Sequence, residues 1–103
     1  MVTTANKEIV EIAQRYLTLL RKHNIAFESA LLFGSAASAT MNEDSDIDIA
    51  IIMKEASERF FRELELMKLR RSIDLRIEPH ILTPEELASP LFSEIQQTGI
   101  TIS

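Results

Sequence analysis

The sequence contains no cysteine, which excludes both a disulfide framework and a zinc site built from thiolates. It has only two glycines and three prolines among its 103 residues, which argues against a disordered chain. No apolar run approaches the roughly 20 residues that a membrane-spanning helix needs. No basic and then apolar signal segment opens the sequence. We therefore expect a compact protein of the cytoplasm.

Positive charge is also scarce, with 11 Lys and Arg against 16 Asp and Glu and a formal net charge of -5. General binding to nucleic acid depends on clustered Lys and Arg, so we expect none here. The hydrophobic share of 46% and the charged share of 26% are typical of a globular domain. A chain of this length builds one core, which predicts a single domain over residues 1–103.

Two short polar motifs carry the chemical signal. Gly34-Ser35 follows an apolar run at residues 30–33, and a glycine at such an exit lets backbone amides approach an anion. Asp46 and Asp48 leave one face of a predicted strand, roughly 7 Å apart. Magnesium binds carboxylate oxygens and keeps water or phosphate as its other ligands. Alone, each motif also suits an ordinary turn or a pair of solvated acids, but their order and the buried strand that follows favour nucleotidyl transfer.

Hydrophobic periodicity predicts the elements that carry these motifs. The predicted helices cover residues 5–23, 35–39 and 56–71, with two brief helices opening at Thr83 and Ser89. The predicted strands cover residues 25–33, 47–53 and 72–82, and an extended tail at 100–103 either pairs as an edge strand or meets a partner. These elements predict an α/β (α+β) domain with a small mixed β-sheet of three to four strands flanked by helices.

Nucleotidyl transfer by two metals requires a further carboxylate near the attacking hydroxyl. In the strand predicted over residues 72–82, Asp74, Arg76 and Glu78 share one face. We predict Asp74 as the third carboxylate. Glu78 is the alternative, and it would lie roughly 13 Å further along the same strand.

Three segments together resemble the polymerase-β-like nucleotidyltransferase superfamily, and its minimal nucleotidyltransferase group in particular. They are Leu32-Phe33-Gly34-Ser35, Asp44-Ser45-Asp46-Ile47-Asp48 and Arg71-Ser72-Ile73-Asp74-Leu75-Arg76. The resemblance implies a small α/β domain that binds magnesium and a nucleoside triphosphate, with ATP as the expected donor. It also implies the transfer of a nucleoside monophosphate, here AMP, to a hydroxyl group.

The resemblance further implies a role for each matching residue. Gly34 and Ser35 would hold the triphosphate, and two magnesium ions would be bound by Asp46, Asp48 and Asp74. One departure from the family pattern follows the Gly-Ser pair, where many members have an Arg and a Gly but this chain has Ser38 and Ala39. Without this cation, we expect weaker binding of the triphosphate. Arg76 or Lys54 could replace it.

Several minimal members act as antitoxins that adenylylate a helical protein of the HEPN type, so the resemblance implies such a partner and leaves a homo-oligomer open. The alternative is a catalytically silent antitoxin or binding module that keeps the fold, and the lost Arg motivates it. Three other residues are predicted to be structural: His80 as a hydrogen-bonded histidine, and Phe60 and Phe61 as core and groove residues.

Overall fold

A computed structural model describes residues 7–37, 45–55 and 57–103, and these contain four α-helices and four strands. The helices are α1 (Lys7–Lys22), α2 (Arg59–Leu69), α3 (Pro84–Ala88) and α4 (Ser93–Thr98). The strands are β1 (Ser29–Phe33), β2 (Ile47–Ile52), β3 (Ile77–Leu82) and β4 (Ile100–Thr101). Short 3₁₀ turns lie at Gly34–Ala37, Arg70–Ser72 and Pro90–Phe92. None of the helices among the described residues is long and apolar enough to cross a membrane.

The four strands form one mixed sheet in the order β3-β2-β1-β4. Strand β1 is antiparallel to both β2 and β4, whereas β2 and β3 are parallel and are joined through α2. Pro79 lies in β3, an edge strand, where its missing N–H leaves no ladder bond unmade. The predicted mixed sheet with flanking helices is confirmed, and the tail proves to be an edge strand, with Ile102 N donating to Ala30 O at 2.9 Å.

Each face of the sheet packs against helices. The face toward α1 carries the larger core, to which the sheet contributes alternate residues: Ala30, Leu32, Ile47, Ile49, Ile51, Ile77 and Ile81. The opposite face packs on α3 and α4 through Ala50, Ile52, Leu82 and Ile95. Because side chains alternate along a strand, Asp48 shares this second face with Ala50.

Helices α1 and α2 are joined by a buried hydrogen bond as well as by packing. The hydroxyl of Tyr16, which is fully buried, donates to Leu66 O at 2.7 Å. Burial raises the pKa of this phenol well above its usual range, with the nearby Arg70 opposing the shift. The apolar spacing that predicted α1 is confirmed, since Ile9, Ile12, Ala13, Tyr16, Leu17 and Leu20 are all buried.

The predicted strand over residues 72–82 is wrong in its first half, because β3 begins only at Ile77. Asp74 N donates to Arg70 O, and the Asp74 carboxylate accepts from Arg76 N at 2.9 Å. An aspartate that satisfies a backbone N–H two residues on stabilises a turn in competition with a strand. Leu75, which a strand over residues 72–82 would place on the face opposite Asp74, is consequently 66% exposed.

Two other predicted boundaries also shift. Strand β1 begins at Ser29, four residues later than predicted, and α2 begins at Arg59 because Glu58 has a left-handed backbone with φ of 57°. The short helix predicted at residues 35–39 is a 3₁₀ turn at Gly34–Ala37, and its last two predicted residues lie outside the described part of the chain. Phe60 and Phe61 are exposed, so their prediction as core residues is wrong.

Candidate active site

The candidate site begins at Gly34, immediately after β1. Its φ of +63° lies in the left-handed region that residues with a Cβ rarely adopt. A Cβ added here would lie 2.8 Å from Asp48 Oδ2, closer than real contacts allow. The backbone conformation therefore favours glycine here, and a Cβ would displace the Asp48 carboxylate. The turn that follows β1 lies directly against the second aspartate of the Asp-X-Asp motif.

Sheet pairing explains this approach. Phe33, the last residue of β1, is paired with Asp48 across the antiparallel ladder, so the chain leaves β1 at the level where that aspartate projects. Ala36 is buried and anchors the 3₁₀ turn to the core, while Ser35 is half-buried. The turn that carries Gly34 and Ser35, which are predicted to bind the triphosphate, is thus held against the sheet.

Asp48 is the most constrained carboxylate of the site. Its side chain is 26% exposed, its Oδ2 faces the Gly34 turn, and its Oδ1 lies 3.3 Å from His80 Nε2. The His80 ring contacts Phe33 edge to face, with 5.1 Å between the ring centroids. Asp46 precedes β2 and is exposed, so its carboxylate remains accessible to a ligand from solvent.

The parallel pairing of β2 with β3 determines which carboxylate lies beside Asp48. In this register Asp48 is paired with Glu78, and Ala50 with His80. Neighbouring strands lie about 4.8 Å apart, so the Glu78 side chain leaves the same face one strand away. Its carboxylate lies 3.8 Å from Arg70 Nη1. From the sequence, Glu78 was the alternative to Asp74 as third carboxylate, and His80 was predicted to be structural. Sequence alone does not reveal the register of β3, which places both residues near Asp48.

Asp74, the predicted third carboxylate, precedes β3 by three residues and is occupied by a neighbour. Arg76 donates to it from Nε at 3.0 Å and from Nη2 at 2.8 Å, in addition to the backbone bond. These bonds with Arg76 hold the pKa of the Asp74 carboxyl below its usual range, against the effect of desolvation. Asp74 is therefore not the strand neighbour of Asp48, and Glu78 has that position.

Neither Arg76 nor Lys54 is placed to replace the arginine that many family members have after the Gly-Ser pair. Arg76 is held by Asp74. Lys54 lies beyond the far end of β2, six residues and roughly 20 Å along the strand from Asp48. Lys54 is thus too far from Asp48 to replace the missing cation.

The acids offer hard oxygen ligands, but they do not converge as a finished metal site. Within residues 7–37, 45–55 and 57–103, no three side chains of Asp, Glu, His or Cys are grouped closely enough to hold an ion. Asp46, Asp48 and Glu78 occupy neighbouring positions, with Glu78 turned toward Arg70. Their carboxylate chemistry, and the glycine cradle beside Asp48, fit a magnesium ion that is brought in with a phosphate group.

An apolar pocket of about 480 Å³ adjoins Gly34 and His80. This volume is within the usual range for small-molecule sites. The walls are mainly aromatic and aliphatic and include Phe33, Leu82, Leu91, Phe92 and Ile95, with Glu63 and Glu94 as charged members. The lining, as far as described residues form it, includes no Lys or Arg, so the pocket suits an uncharged ring better than a phosphate.

Comparisons with a family model and with solved structures both find similarity to known proteins. The sequence model of a family described as "Polymerase beta, Nucleotidyltransferase" matches residues 7–103. A crystal structure of a provisionally assigned nucleotidyltransferase from Sulfolobus solfataricus is similar, with a TM-score of 0.63 and 19% identity. The match covers 91% of this chain and 78% of that one, and at this identity it establishes a shared fold. A search of curated proteins found no significant match.

Proposed function

Because the chain belongs to the polymerase beta nucleotidyltransferase family, we propose that it is a magnesium-dependent enzyme that transfers AMP from ATP to a hydroxyl group. The observation that carries the proposal is the contact between the Gly34 turn and Asp48, where a Cβ would lie only 2.8 Å from the carboxylate. This contact joins a backbone suited to phosphate with a carboxylate suited to a divalent ion, and nucleotidyl transfer needs the two together.

In this proposal Asp46, Asp48 and Glu78 would hold two magnesium ions, and Gly34 and Ser35 would receive the triphosphate. Glu78 replaces Asp74 as the third carboxylate. Two observations support the change: Glu78 is paired with Asp48 across the parallel strands, and Asp74 is held by Arg76. When bound, magnesium would offset charge on the departing pyrophosphate and lower the pKa of the acceptor hydroxyl.

The chain's own residues orient the reactants. The contacts with His80 and the Gly34 turn limit the positions open to the Asp48 carboxylate, so little reorganisation is needed when the substrate binds. When the substrate binds, the Glu78 side chain leaves Arg70 and turns toward the other carboxylates. One of its carboxylate oxygens then accepts the proton of the attacking hydroxyl. The apolar pocket beside His80 receives the nucleoside of ATP, where Phe33 and Phe92 offer ring contacts.

We expect the acceptor hydroxyl to be carried by a helical protein of the HEPN type, as the family resemblance implies. The test is incubation with magnesium, a helical protein encoded beside this one and ATP labelled at the α-phosphate. Label should enter the partner, whereas label at the γ-phosphate should not. No transfer to any acceptor under these conditions would contradict the enzymatic proposal.

Site variants assign the roles within that assay. Asp48→Asn and Glu78→Gln should abolish transfer, whereas Asp74→Asn should retain most of it. Glu85→Gln is the matched control, because Glu85 is an exposed acid on α3 outside the site. If Asp74→Asn is inactive while Glu78→Gln is active, the assignment of the third carboxylate reverts to Asp74.

A catalytically silent antitoxin or binding module is the second candidate. The ion pair of Glu78 with Arg70 favours it, as does the absence of the family arginine after Gly34-Ser35. In that case Asp48→Asn should bind the helical partner as tightly as the wild type does, and neither protein should transfer label. Partner binding together with label transfer would exclude the silent module.

A further inference from the structure

Helix α2 presents apolar side chains to solvent. Leu66 is its only buried residue, whereas Phe60 is 68% exposed, Phe61 69% and Leu64 45%. The two phenylalanine rings contact each other edge to face, with centroids 5.7 Å apart. Together with the half-buried Met67, we call these residues the α2 stripe. Their spacing places them along one side of the helix, away from the side that carries Leu66.

The charges at the two ends of the α2 stripe have opposite signs once Arg59 and Arg62, which pair with Glu86 and Glu65, are set aside. Glu58 directly precedes the helix, while Lys68 and Arg71 lie at and just beyond its other end. All three side chains are exposed, and none forms an ion pair with another described residue. An apolar stripe with an acidic end and a basic end is complementary to a copy of itself turned end for end.

A two-fold axis through Leu64 makes this complementarity specific. Positions equally far before and after Leu64 then face each other across an antiparallel helix pair. Leu64 meets Leu64 of the second copy, Phe61 meets Met67, and Phe60 meets Lys68, whose aliphatic stem and ammonium group both suit an aromatic ring. The acidic end of each helix lies against the basic end of the other.

We propose that the α2 stripe is a self-association surface, at which two copies of this chain pack α2 against α2 in antiparallel orientation. The expected strength follows from the area. A buried aromatic side chain covers about 150–250 Å², so the exposed part of the stripe supplies on the order of 300–400 Å² per copy. A standard interface buries about 800 Å² per partner, so the dimer is weak and reversible.

Analytical ultracentrifugation over a series of protein concentrations, up to the highest at which the protein stays soluble, is the first test. The wild type should show a reversible monomer–dimer equilibrium. Leu64→Glu should be monomeric, because it places two like charges against each other on the axis. Phe61→Ser, at a more exposed position that folding tolerates better, should weaken association at least tenfold. Leu75→Glu is the control, because Leu75 is more exposed than Leu64 but lies outside α2, and it should associate like the wild type.

Charge reversal tests the antiparallel orientation. Glu58→Arg and Arg71→Glu should each weaken the dimer severalfold, and the effect should shrink at high salt. The double variant Glu58→Arg, Arg71→Glu should restore association. Position 58 faces position 70 across the axis, and position 71 is next to it, so opposite charges again lie close together. Circular dichroism melting confirms that each variant is folded. A double variant no stronger than the single ones would overturn the orientation.

The absence of native cysteine allows a direct test of the axis. Helices pack with axes about 8–10 Å apart, a span that a short bismaleimide linker bridges. Leu64→Cys should therefore cross-link to itself rapidly, whereas Leu75→Cys should not. A wild type that stays monomeric throughout the range, or equal cross-linking of the two variants, would overturn the proposal.

Discussion

Replacing Gly34 by alanine tests the contact on which the proposed function depends. The φ of +63° requires the left-handed backbone region, which costs a residue with a Cβ about 1–2 kcal/mol. A domain of about 100 residues loses roughly 4–8 °C in melting temperature for each kcal/mol. We therefore expect Gly34→Ala to melt at least about 4 °C below the wild type.

A second, steric effect separates the site from simple stability. The new Cβ would lie 2.8 Å from Asp48 Oδ2. Ordinary van der Waals contact of a Cβ begins at 3.4 Å, so the carboxylate must withdraw by about 0.6 Å. The His80 contact on Oδ1 limits where it can go. Because displacements of about 1 Å in a catalytic site cost around 100-fold in rate, we expect AMP transfer to fall by roughly 10- to 100-fold.

The assays are thermal denaturation, the rate of label transfer from ATP labelled at the α-phosphate, and calorimetric binding of ATP with magnesium. Asn24→Ala is the matched control, because Asn24 has a φ of 60° and lies just after α1, far from Asp48 in the sequence. It should lower the melting temperature without weakening nucleotide binding. If Gly34→Ala binds magnesium and ATP as tightly as the wild type does, the contact with Asp48 does not have the role that we assign to it.

Three further predictions follow from the structure. Tyr16→Phe should destabilise the protein by about 1 kcal/mol, because Leu66 O loses a hydrogen bond from a buried hydroxyl. Since burial raises the pKa of Tyr16, the unfolded phenol ionises first. The wild type should then lose stability as pH rises above about 10, and the phenylalanine variant should lack this loss. Asp74 has a lowered pKa because of Arg76. Its contribution to stability is present above its unfolded pKa, near 4, and is lost as pH falls through the lower folded value, so Asp74→Asn should flatten the acid side of the stability profile. Finally, ATP with magnesium at 100 times its dissociation constant should stabilise the wild type by about 2.7 kcal/mol and should stabilise Asp48→Asn much less.

Each of these predictions has its own control. Thr18→Ala removes an exposed side-chain bond to Gln14 O on α1 and should leave the alkaline limb unchanged, in contrast to Tyr16→Phe. Glu85→Gln is the control for the stability profile at acid pH. Magnesium added without nucleotide is the control for the experiment on stabilisation by ATP. Equal alkaline limbs for the wild type and Tyr16→Phe would contradict the role of the buried phenol.

The sequence alone was sufficient for the features that depend on local spacing. The three-and-four pattern of α1 and the apolar run of β2 predicted elements that the structure confirms, because burial of one helix face or of a central strand is recorded in consecutive residues. The order of Gly-Ser and Asp-X-Asp indicated the family. A glycine that ends a buried strand and is followed by two aspartates is compatible with only a few kinds of reaction, and this much can be inferred from the sequence.

Only the tertiary structure decided which residues meet. The parallel register that pairs Glu78 with Asp48 forms across a long crossover, and no local pattern determines such a register. The Asp74 carboxylate accepts from Arg76 N and Asp74 N donates to Arg70 O, and these bonds stabilise a turn before β3 begins at Ile77. The predicted third carboxylate therefore lies outside the strand. The contact between Gly34 and Asp48 likewise depends on antiparallel pairing. Periodicity determines which residues an element can bury, whereas long-range packing determines what those residues are buried against.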